Sequence, residues 1–410
     1  MIKNKNNLLL LMNTKQLEAL NIVKNGYNLF LTGSAGTGKS YTLKGIINYL
    51  ETKNKNYGLT ALTGCAAVLI NGQTIHSFLY LGISRNLDDI YSNLCKYKGK
   101  LNNLKKLEVL IIDEISMMDN ELFELINNLL MLIKNNDKFF GGIQLILVGD
   151  FFQLPPINGD YCFTSSIWEN INLKKIILTE IIRQKDDDKL KQILEEIRNG
   201  TINEETINTL SNLKNTEFIN KDIKPTKLYP ININVDKINN YEFKKLVKLN
   251  KGLTTTYKAF SNKSPPENLD NYDITLTLNA QIMVIRNISI ENKLFNGTRG
   301  IVIEMKEMSV IIKDLNNNLH EIGYYTDINN NNKKHKISFM PLKLAYAMSI
   351  HKSQGASIDY LELDLGENIF ISGQLYTALS RATNINNIKL IDFSKYSFMS
   401  NEKVKKFYEL

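Results

Sequence analysis

The segment Gly33–Ser40 constrains the fold of this chain more than any other part of the sequence. It reads Gly-Ser-Ala-Gly-Thr-Gly-Lys-Ser and fits the phosphate-binding template Gly-x-x-x-x-Gly-Lys-Ser/Thr. The apolar run Leu29–Leu31 predicts a buried strand before it, and residues 41–50 predict a helix after it. Because a glycine-rich turn and a helix N-terminus together surround phosphate with N–H groups, the segment predicts an α/β fold that binds a nucleoside triphosphate.

Two side chains of this loop have separate predicted roles. Lys39 is expected to reach the β- and γ-phosphates, and the hydroxyl of Ser40 is expected to ligate Mg²⁺. The backbone of the loop is expected to contact the nucleotide along its whole length. The predicted nucleotide-binding residues here are Gly33, Ser34, Ala35, Gly36, Thr37, Gly38, Lys39, Ser40 and Tyr41.

Short apolar runs that alternate with helical stretches follow through the first part of the chain. They predict strands at 57–62, 109–112, 144–148 and 175–178. Continuous apolar strands between helices are typical of a parallel sheet covered on both faces, in which ligands lie at the carboxyl ends of the strands. We therefore expect polar residues just after these strands to form the functional site.

The strand at 109–112 ends in a pair of carboxylates, Asp113 and Glu114. Asp113 is placed to hold Mg²⁺, directly or through water, opposite Ser40. Glu114, one residue further on, is the natural base to orient an attacking water. This pair predicts hydrolysis of the bound triphosphate.

The loop after the strand at 144–148 carries a further candidate, Gln153. An uncharged amide beside the γ-phosphate can sense hydrolysis through a hydrogen bond without competing for the metal. Phe151 and Phe152 in the same loop fit core packing and contact with bases about equally well, so the sequence leaves both interpretations open.

A second alternating region begins near Thr179. It predicts strands at 227–229, 342–348, 360–363 and 388–391, and helices at 236–249 and 373–381. Within it, residues 253–339 alternate with period two and carry the turn signal Asn296-Gly297, which predicts an inserted antiparallel β unit. The sequence thus predicts two α/β domains, one at 1–180 and one at 181–410.

Two arginines, Arg183 and Arg381, are candidates to stabilise charge in the transition state of hydrolysis. Arginine fingers contribute about 10³–10⁵ in rate, which gives a two-domain enzyme reason to place them at its nucleotide. A single arginine is more often a surface or ion-pair residue, so the surrounding pattern supports this role more than either residue does.

Polar loops after strands in both domains are candidates for contacts to a nucleic-acid backbone. The residues are Thr63, Gly64, His76, Ser77, His351 and Lys352. Gly355, in the same loop as His351, is a position where the backbone can approach phosphate closely, and we assign it to the nucleotide. Such loops in two domains predict a track along single-stranded nucleic acid.

The formal charge of +8, from 50 Lys and Arg against 42 Asp and Glu, favours a polyanionic partner, nucleic acid first. This support is modest, because Asn, Ile and Lys are abundant together, a bias that an AT-rich coding sequence also produces. The 3 cysteines lie far apart and show neither disulfide nor zinc spacing, and no apolar run reaches membrane-spanning length. We expect a soluble, intracellular protein without a membrane partner.

The motifs as a set resemble the superfamily 1B DNA helicases, most closely the Pif-type (petite integration frequency) family, with RecD-like helicases as the next relatives. The resemblance extends from about Asn13 to Phe393, and its motifs occur in the family's order. Besides the phosphate loop they are residues 113–117, 149–156, 350–355 and 373–381.

This resemblance implies two RecA-like domains that use ATP and Mg²⁺ to move 5′-to-3′ on single-stranded DNA and to unwind forked duplex. It implies that Gln16 recognises adenine, that residues 79–107 form a small wedge insertion, and that residues 253–340 form a small β-barrel that helps to clamp DNA. It also implies a monomeric enzyme of DNA replication, repair or recombination, whose further partners would be single-strand-binding or replication proteins.

Two other functions stay open. A P-loop ATPase that translocates and remodels protein–DNA complexes without unwinding would share every ATP motif and differ at the wedge. A catalytically inactive nucleic-acid-binding scaffold is opposed by the intact set of catalytic candidates. These are Lys39, Asp113, Glu114, Gln153, Arg183 and Arg381.

Overall fold

The computed structural model describes residues 12–409 except 83–84, 185, 219–222, 231, 263–268, 287, 290–293, 295–296, 329–335, 366–370 and 394–397. The chain divides into two compact units. Unit 1 comprises Met1–Gly200, Ile371–Tyr376 and Met399–Leu410, and unit 2 comprises Thr201–Phe370 and Thr377–Phe398. The division lies after Gly200 rather than at the predicted residue 180, and two late segments of the chain return to unit 1.

Unit 1 is built on a single parallel sheet. Its strands are β1 (Leu29–Gly33), β2 (Tyr57–Ala61), β3 (Gln73–Thr74), β4 (Val109–Asp113), β5 (Gln144–Val148) and β6 (Lys174–Leu178). They lie in the order β3-β2-β4-β5-β1-β6, and each neighbouring pair is parallel. All residues of β1 and β4 are buried, as the continuous apolar runs predict for a sheet covered on both faces.

Helices follow most of these strands. They are α1 (Thr14–Lys24), α2 (Lys39–Thr52), α3 (Gly64–Leu69), α4 (Ile75–Leu79), α5 (Leu87–Cys95), α6 (Lys98–Lys105), α7 (Asn120–Lys134), α8 (Ser166–Asn170) and α9 (Asp188–Asn199). Some of their ends carry the expected caps: at the start of α7 the Asp119 carboxylate accepts from Leu122 N, and Gly200 ends α9 with a left-handed backbone. Helices α5 and α6 lie within the predicted wedge.

Unit 2 contains the remaining strands and two further helices, α10 (Glu204–Asn212) and α11 (Asn232–Leu249). The strands are β7 (Thr226–Tyr229), β8 (Thr255–Tyr257), β9 (Phe260–Ser261), β10 (Ile274–Leu276), β11 (Gln281–Val284), β12 (Arg299–Met305), β13 (Ser309–Asp314), β14 (Leu319–Gly323), β15 (Tyr325–Ile328), β16 (Lys336–Phe339), β17 (Leu342–Leu344), β18 (Ala347–Ser349), β19 (Leu361–Leu365) and β20 (Ile388–Phe393). The order β18-β7-β19-β20 forms a second parallel sheet. An α/β fold with two parallel sheets is therefore confirmed.

The inserted β unit is antiparallel. Its strands pair as β14-β13-β12-β11-β17, β15-β16-β9 and β10-β8. Buried residues from several of these strands share one hydrophobic cluster, which includes Tyr257, Ile282, Val302 and Ile322. The period-two alternation therefore predicted the strand type and the position of this unit.

One predicted strand, at 342–348, is wrong as a single element. The structure divides it into β17, which pairs with β11 of the inserted unit, and β18, which pairs with β7 of the parallel sheet. The chain changes sheets at Ala345, whose carbonyl accepts from Thr226 Oγ1 at 3.0 Å and from Gln281 Nε2 at 2.8 Å. Side chains from both sheets thus stabilise a bend that a largely apolar run does not signal.

The last two helices are α12 (Gln374–Leu379), within which the boundary between the units falls, and α13 (Glu402–Glu409). In unit 1, Phe407 of α13 packs on an aromatic core, with ring centroids 4.4 Å from Phe163 and 5.2 Å from Phe151. Phe151 is 1% exposed, and Phe152 stacks on Tyr408 at 5.1 Å. Both phenylalanines therefore pack in the interior, which decides the alternative that the sequence leaves open.

In the part of the chain that the structure describes, none of the helices combines the length and the apolar character that a membrane span needs.

Candidate nucleotide site

The strand order of unit 1 gathers most of the predicted site at one edge of the sheet. Strands β4, β5, β1 and β6 are consecutive neighbours and run in the same direction. The carboxylate pair lies at the end of β4, the Gln153 loop follows β5, the phosphate loop begins at the end of β1, and Arg183 follows β6. Because the carboxyl ends of parallel strands meet at one edge, these segments share one side of the sheet.

The backbone of the phosphate loop requires glycine at several positions. Gly33, Gly36 and Gly38 have φ angles of +146°, +84° and +89°. A Cβ added to Gly33 would lie 2.3 Å from the carbonyl oxygen of Leu178, and one added to Gly38 would lie 2.7 Å from Gln16 Nε2. The loop is therefore a cradle of bare backbone that a side chain would fill, as phosphate binding requires.

Helix α2 presents its N-terminus to this cradle. It is 14 residues long, begins at Lys39, and has Gly38 as a left-handed N-cap without a side-chain cap. The N–H groups of the first turn have no partner within a helix, and the aligned peptide dipoles give this end a partial positive charge. The arrangement fits a bound phosphate chain.

Lys39 is folded along the inner side of the loop. Its Nζ donates to Gly33 O at 2.7 Å and to Ser34 O at 3.1 Å. Burial lowers the pKa of Lys39, while the negative charges of Asp150 and Glu114 act in the opposite direction. The ammonium thus lies among carboxylates, where its charge is available to an anionic substrate.

The predicted catalytic pair ends strand β4. Burial and the adjacent charge of Glu114 raise the pKa of Asp113 to about 7, although Glu114 N donates to Asp113 Oδ1 at 2.9 Å. Glu114 itself adopts a left-handed backbone, with φ of 54° and ψ of 42°. Two buried or half-buried carboxylates in sequence disfavour each other's charge, and a divalent cation is the partner that would relieve this.

The donor set suits Mg²⁺ bound with its substrate. Among the residues that the structure describes, no cluster of three His, Cys, Asp or Glu side chains could hold a metal alone. Mg²⁺ is usually held by one or two protein oxygens together with waters and substrate phosphates. Ser40 and Asp113 can supply those oxygens.

Gln16 has the geometry of a base-recognition residue. It is 1% exposed, and its Oε1 accepts from Asn13 N at 3.1 Å in the capping box of α1. Its Nε2 is buried and has no hydrogen-bond partner. A buried amide donor without a partner is costly, and it lies over Gly38, so a nucleobase acceptor at this position would satisfy it.

Gln153 and Arg183 flank the loop from the two neighbouring strands. Gln153 is 5% exposed, and its backbone N donates to Asp150 O at 2.9 Å. The backbone N of Arg183 donates to Gly36 O at 3.2 Å, so the backbone of Arg183 is bonded to the phosphate loop. The structure therefore brings both predicted residues to the nucleotide site of unit 1.

The predicted DNA contacts of unit 1 lie at the outer strands of its sheet. Thr63 and Gly64 follow β2, and His76 and Ser77 follow β3, its parallel neighbour. Gly64, His76 and Ser77 are exposed. Burial of part of the ring and the positive charge of Arg85 lower the pKa of His76. These four residues thus lie at the carboxyl ends of β2 and β3, on the same edge of the sheet as the phosphate loop.

Four predicted residues belong to unit 2. Arg381 is 2% exposed, and its guanidinium donates to Thr377 O at 2.9 Å and to Ser380 Oγ at 2.7 Å. His351 lies in a short turn after β18, where burial lowers its pKa, and Lys352 next to it is exposed. Gly355 has φ of +75°. The functional roles of these residues remain predictions.

Sequence reasoning missed a group of side chains that supports the phosphate loop within unit 1. The hydroxyl of Tyr376 accepts from Ala35 N at 2.8 Å, and Arg198 pairs with Asp150 at 3.1 Å. The hydroxyl of Tyr408 lies 2.6 Å from Thr32 Oγ1. No local pattern reveals these contacts, because Ala35 and Tyr376 are 341 residues apart in the chain.

Comparison with known proteins identifies one family. The model of the PIF1-like helicase family matches residues 11–208. The ATP-dependent DNA helicase PIF1 of Xenopus laevis is 34% identical over 97% of this chain, which spans 64% of that protein's length. The ATP-dependent DNA helicase Pif1 of Bdellovibrio bacteriovorus is 31% identical, covering 96% of this chain and 91% of its own. The crystal structure of Pif1 helicase from Bacteroides in complex with ADP-AlF3 and ssDNA has a TM-score of 0.67 at 26% identity, covering 97% of each chain.

Proposed function

Since the chain belongs to the PIF1-like helicase family, we propose that it is an ATP-dependent DNA helicase that moves 5′-to-3′ on single-stranded DNA and unwinds duplex. The observation that carries the proposal is the meeting of a phosphate loop, a carboxylate pair and Gln153 at one edge of a parallel sheet. A fold alone does not imply a function, but this set of groups supplies what triphosphate hydrolysis requires.

The nucleotide residues have distinct proposed roles. The loop amides and the N-terminus of α2 bind the phosphates, and Lys39 neutralises the β- and γ-phosphates. The buried Nε2 of Gln16 donates a hydrogen bond to the adenine base. Ser40 and Asp113 would hold Mg²⁺, which would supply positive charge to the phosphate oxygens.

The chemical step would depend on Glu114 and on positive charge near the transferred phosphoryl group. Glu114 orients the attacking water and accepts its proton as the bond to the γ-phosphorus forms and the bond to the leaving ADP oxygen breaks. Arg183 and Lys39 stabilise charge that develops on the phosphoryl oxygens. Gln153 forms a hydrogen bond to the γ-phosphate, and this bond is lost when the γ-phosphate is hydrolysed. A corresponding role for Arg381 rests on the motif resemblance.

DNA binding would use the polar loops of both units and the excess of positive charge. The Bacteroides relative was crystallised with ssDNA, which supports the same partner for this chain. In unit 1 the candidates are Thr63, Gly64, His76 and Ser77; in unit 2 they are His351 and Lys352. We propose a monomeric enzyme acting on single-stranded and forked DNA, with affinity that decreases steeply with salt as counterions are released.

A polarity assay tests the proposal. Duplexes with a 5′ or a 3′ single-stranded tail are mixed with the full chain, ATP and Mg²⁺, and strand release is followed over time. Unwinding of the 5′-tailed duplex alone is expected. Equal unwinding of both, or release of neither, would contradict the proposed activity.

The alternative function is a translocase that remodels protein–DNA complexes without unwinding. A deletion in the predicted wedge distinguishes it from the helicase. In this region Lys100 Nζ lies 3.6 Å from the centre of the Tyr80 ring, and Tyr80 stacks on Tyr97, which is 54% exposed. Deletion of residues 96–100 is expected to stop unwinding while displacement of streptavidin from biotinylated single strands continues. Continued unwinding after the deletion would favour a different separating element.

A further inference from the structure

A tyrosine hydroxyl connects the phosphate loop to a buried ion pair. Ala35 N donates to the Tyr376 hydroxyl at 2.8 Å, and the same hydroxyl donates to Asp150 Oδ2 at 3.3 Å. Tyr376 is 2% exposed and Asp150 is fully buried. Because a phenol has one proton and can also accept, it can make both bonds at the same time.

The second partner of Asp150 fixes the direction of this bridge. Arg198 donates to Asp150 Oδ1 at 3.1 Å, and its guanidinium lies 4.2 Å from the centre of the Phe152 ring. Burial alone would lower the pKa of Arg198, but the charge of Asp150 raises it, so the guanidinium stays protonated and donates to the carboxylate. The carboxylate therefore accepts the hydrogen bond that the Tyr376 hydroxyl donates. This leaves a lone pair of the Tyr376 oxygen to accept from the amide of Ala35.

The strand that leads into the loop is held separately. The Tyr408 hydroxyl lies 2.6 Å from Thr32 Oγ1 and accepts from Phe151 N at 3.2 Å. Burial raises the pKa of Tyr408, so its hydroxyl stays neutral. Between Thr32 and Lys39, the bond from Ala35 to Tyr376 is therefore a separate anchor to a side chain outside the loop.

We propose that Tyr376 is a positioning residue of the nucleotide reaction, which fixes the curve of the phosphate loop through Ala35 N–H and so preorganises Lys39 for the triphosphate. The inference rests on the proposed function, because it assigns Tyr376 to the same nucleotide site. Rigid support of groups that contact the reacting atoms matters most in the transition state, where a displacement of about 1 Å can cost 10²-fold in rate.

Steady-state ATP hydrolysis by a Tyr376→Phe variant of the full chain tests this role. The ring remains and only the hydroxyl is lost. We expect kcat to fall about tenfold while KM for ATP changes less than about threefold, since the loop is still present but less ordered.

The matched control is Tyr346→Phe in unit 2. Tyr346 is 5% exposed, and its hydroxyl also accepts from a backbone amide, that of Gln281, at 2.9 Å. Tyr346 is not a residue of the nucleotide site, so the kcat of Tyr346→Phe should stay within about twofold of the wild-type value. A fall in kcat of equal size in both variants, or a Tyr376→Phe variant with wild-type kcat, would overturn the proposal.

Hydrogen exchange separates a failure of this inference from a failure of the proposed function. In the full chain without nucleotide, loop peptides covering residues 33–40 should exchange about tenfold faster in Tyr376→Phe and be unchanged in Tyr346→Phe, because an anchored amide has lost its acceptor. This readout does not depend on ATP turnover. Unchanged exchange, or a Tyr376→Phe chain that no longer folds, would assign the hydroxyl a merely structural role and overturn the inference.

Discussion

Gly33 is the position where the structure makes the sharpest demand on the sequence. It ends β1, has φ of +146°, and pairs with Leu178 of β6. In a Gly33→Ala variant the new Cβ would lie 2.3 Å from Leu178 O and 2.9 Å from Thr37 Oγ1. The carbonyl of Leu178 belongs to the sheet, so it cannot rotate away as a flexible side chain could. The substitution must therefore move β1, β6 or both.

The expected loss of stability follows from two separate costs. An L-residue in a glycine-only backbone region costs about 1–3 kcal/mol, and overpacking of a rigid contact costs typically about 1–3 kcal/mol more. We expect Gly33→Ala to lower the free energy of unfolding of unit 1 by about 2–6 kcal/mol. With a urea m-value of about 2 kcal/mol per molar, the midpoint should fall by roughly 1–3 M.

Tryptophan fluorescence in urea measures this loss within unit 1. The sequence has 1 tryptophan, Trp168, which is 8% exposed in unit 1, with its ring 5.3 Å from that of Phe30 in β1. Gly99→Ala is the matched control, because Gly99 lies inside α6 and its added Cβ would meet nothing within 4 Å. The control should gain up to about 1 kcal/mol from helix propensity. A loss below about 1 kcal/mol in Gly33→Ala would refute the steric reasoning.

Three other substitutions test the nucleotide site and its support. Lys39→Ala should lower ATP hydrolysis at least about 10²-fold, because charge on the phosphates is no longer neutralised, while single-strand affinity in fluorescence anisotropy stays unchanged. Gln16→Glu keeps an acceptor for Asn13 N but removes the buried donor. The ratio of kcat/KM for ATP to kcat/KM for GTP should therefore fall about tenfold. An unchanged ratio would exclude base recognition by Gln16. Arg198→Met should cost about 3–5 kcal/mol in the Trp168 urea transition, because the buried carboxylate of Asp150 loses the guanidinium that pairs with it. A cost below about 1 kcal/mol would contradict a contribution of this ion pair to the stability of unit 1.

Several features could be predicted from the sequence because their causes are local. Gly33–Ser40 specifies its own turn, since only glycine tolerates the positive φ angles that the loop needs. The apolar strands ending at Asp113 and before Gly149 place their polar residues at the sheet edge by chain direction alone. The alternation over 253–339 predicted antiparallel strands because the side-chain period of a strand is two.

Other features depend on contacts between distant parts of the chain, and only the tertiary structure decided them. The run at 342–348 is apolar except for Lys343, yet it enters two sheets, because the side chains of Thr226 and Gln281 both donate to the carbonyl of Ala345 between them. Phe151 is a core residue because α13 returns to pack on it. Neither outcome leaves a periodic signal, since the partners come from separate elements.

The phosphate loop shows both sources of information in one site. Its residues alone indicate that it binds a triphosphate, because the template encodes turn, charge and metal ligand within eight positions. Its anchoring does not follow from them, because Ala35 meets Tyr376 across 341 residues and Asp150 meets Tyr376 across 226. Local backbone chemistry specifies what the loop can hold, whereas burial of an ion pair and two tyrosine hydroxyls behind it decides how firmly the loop is held.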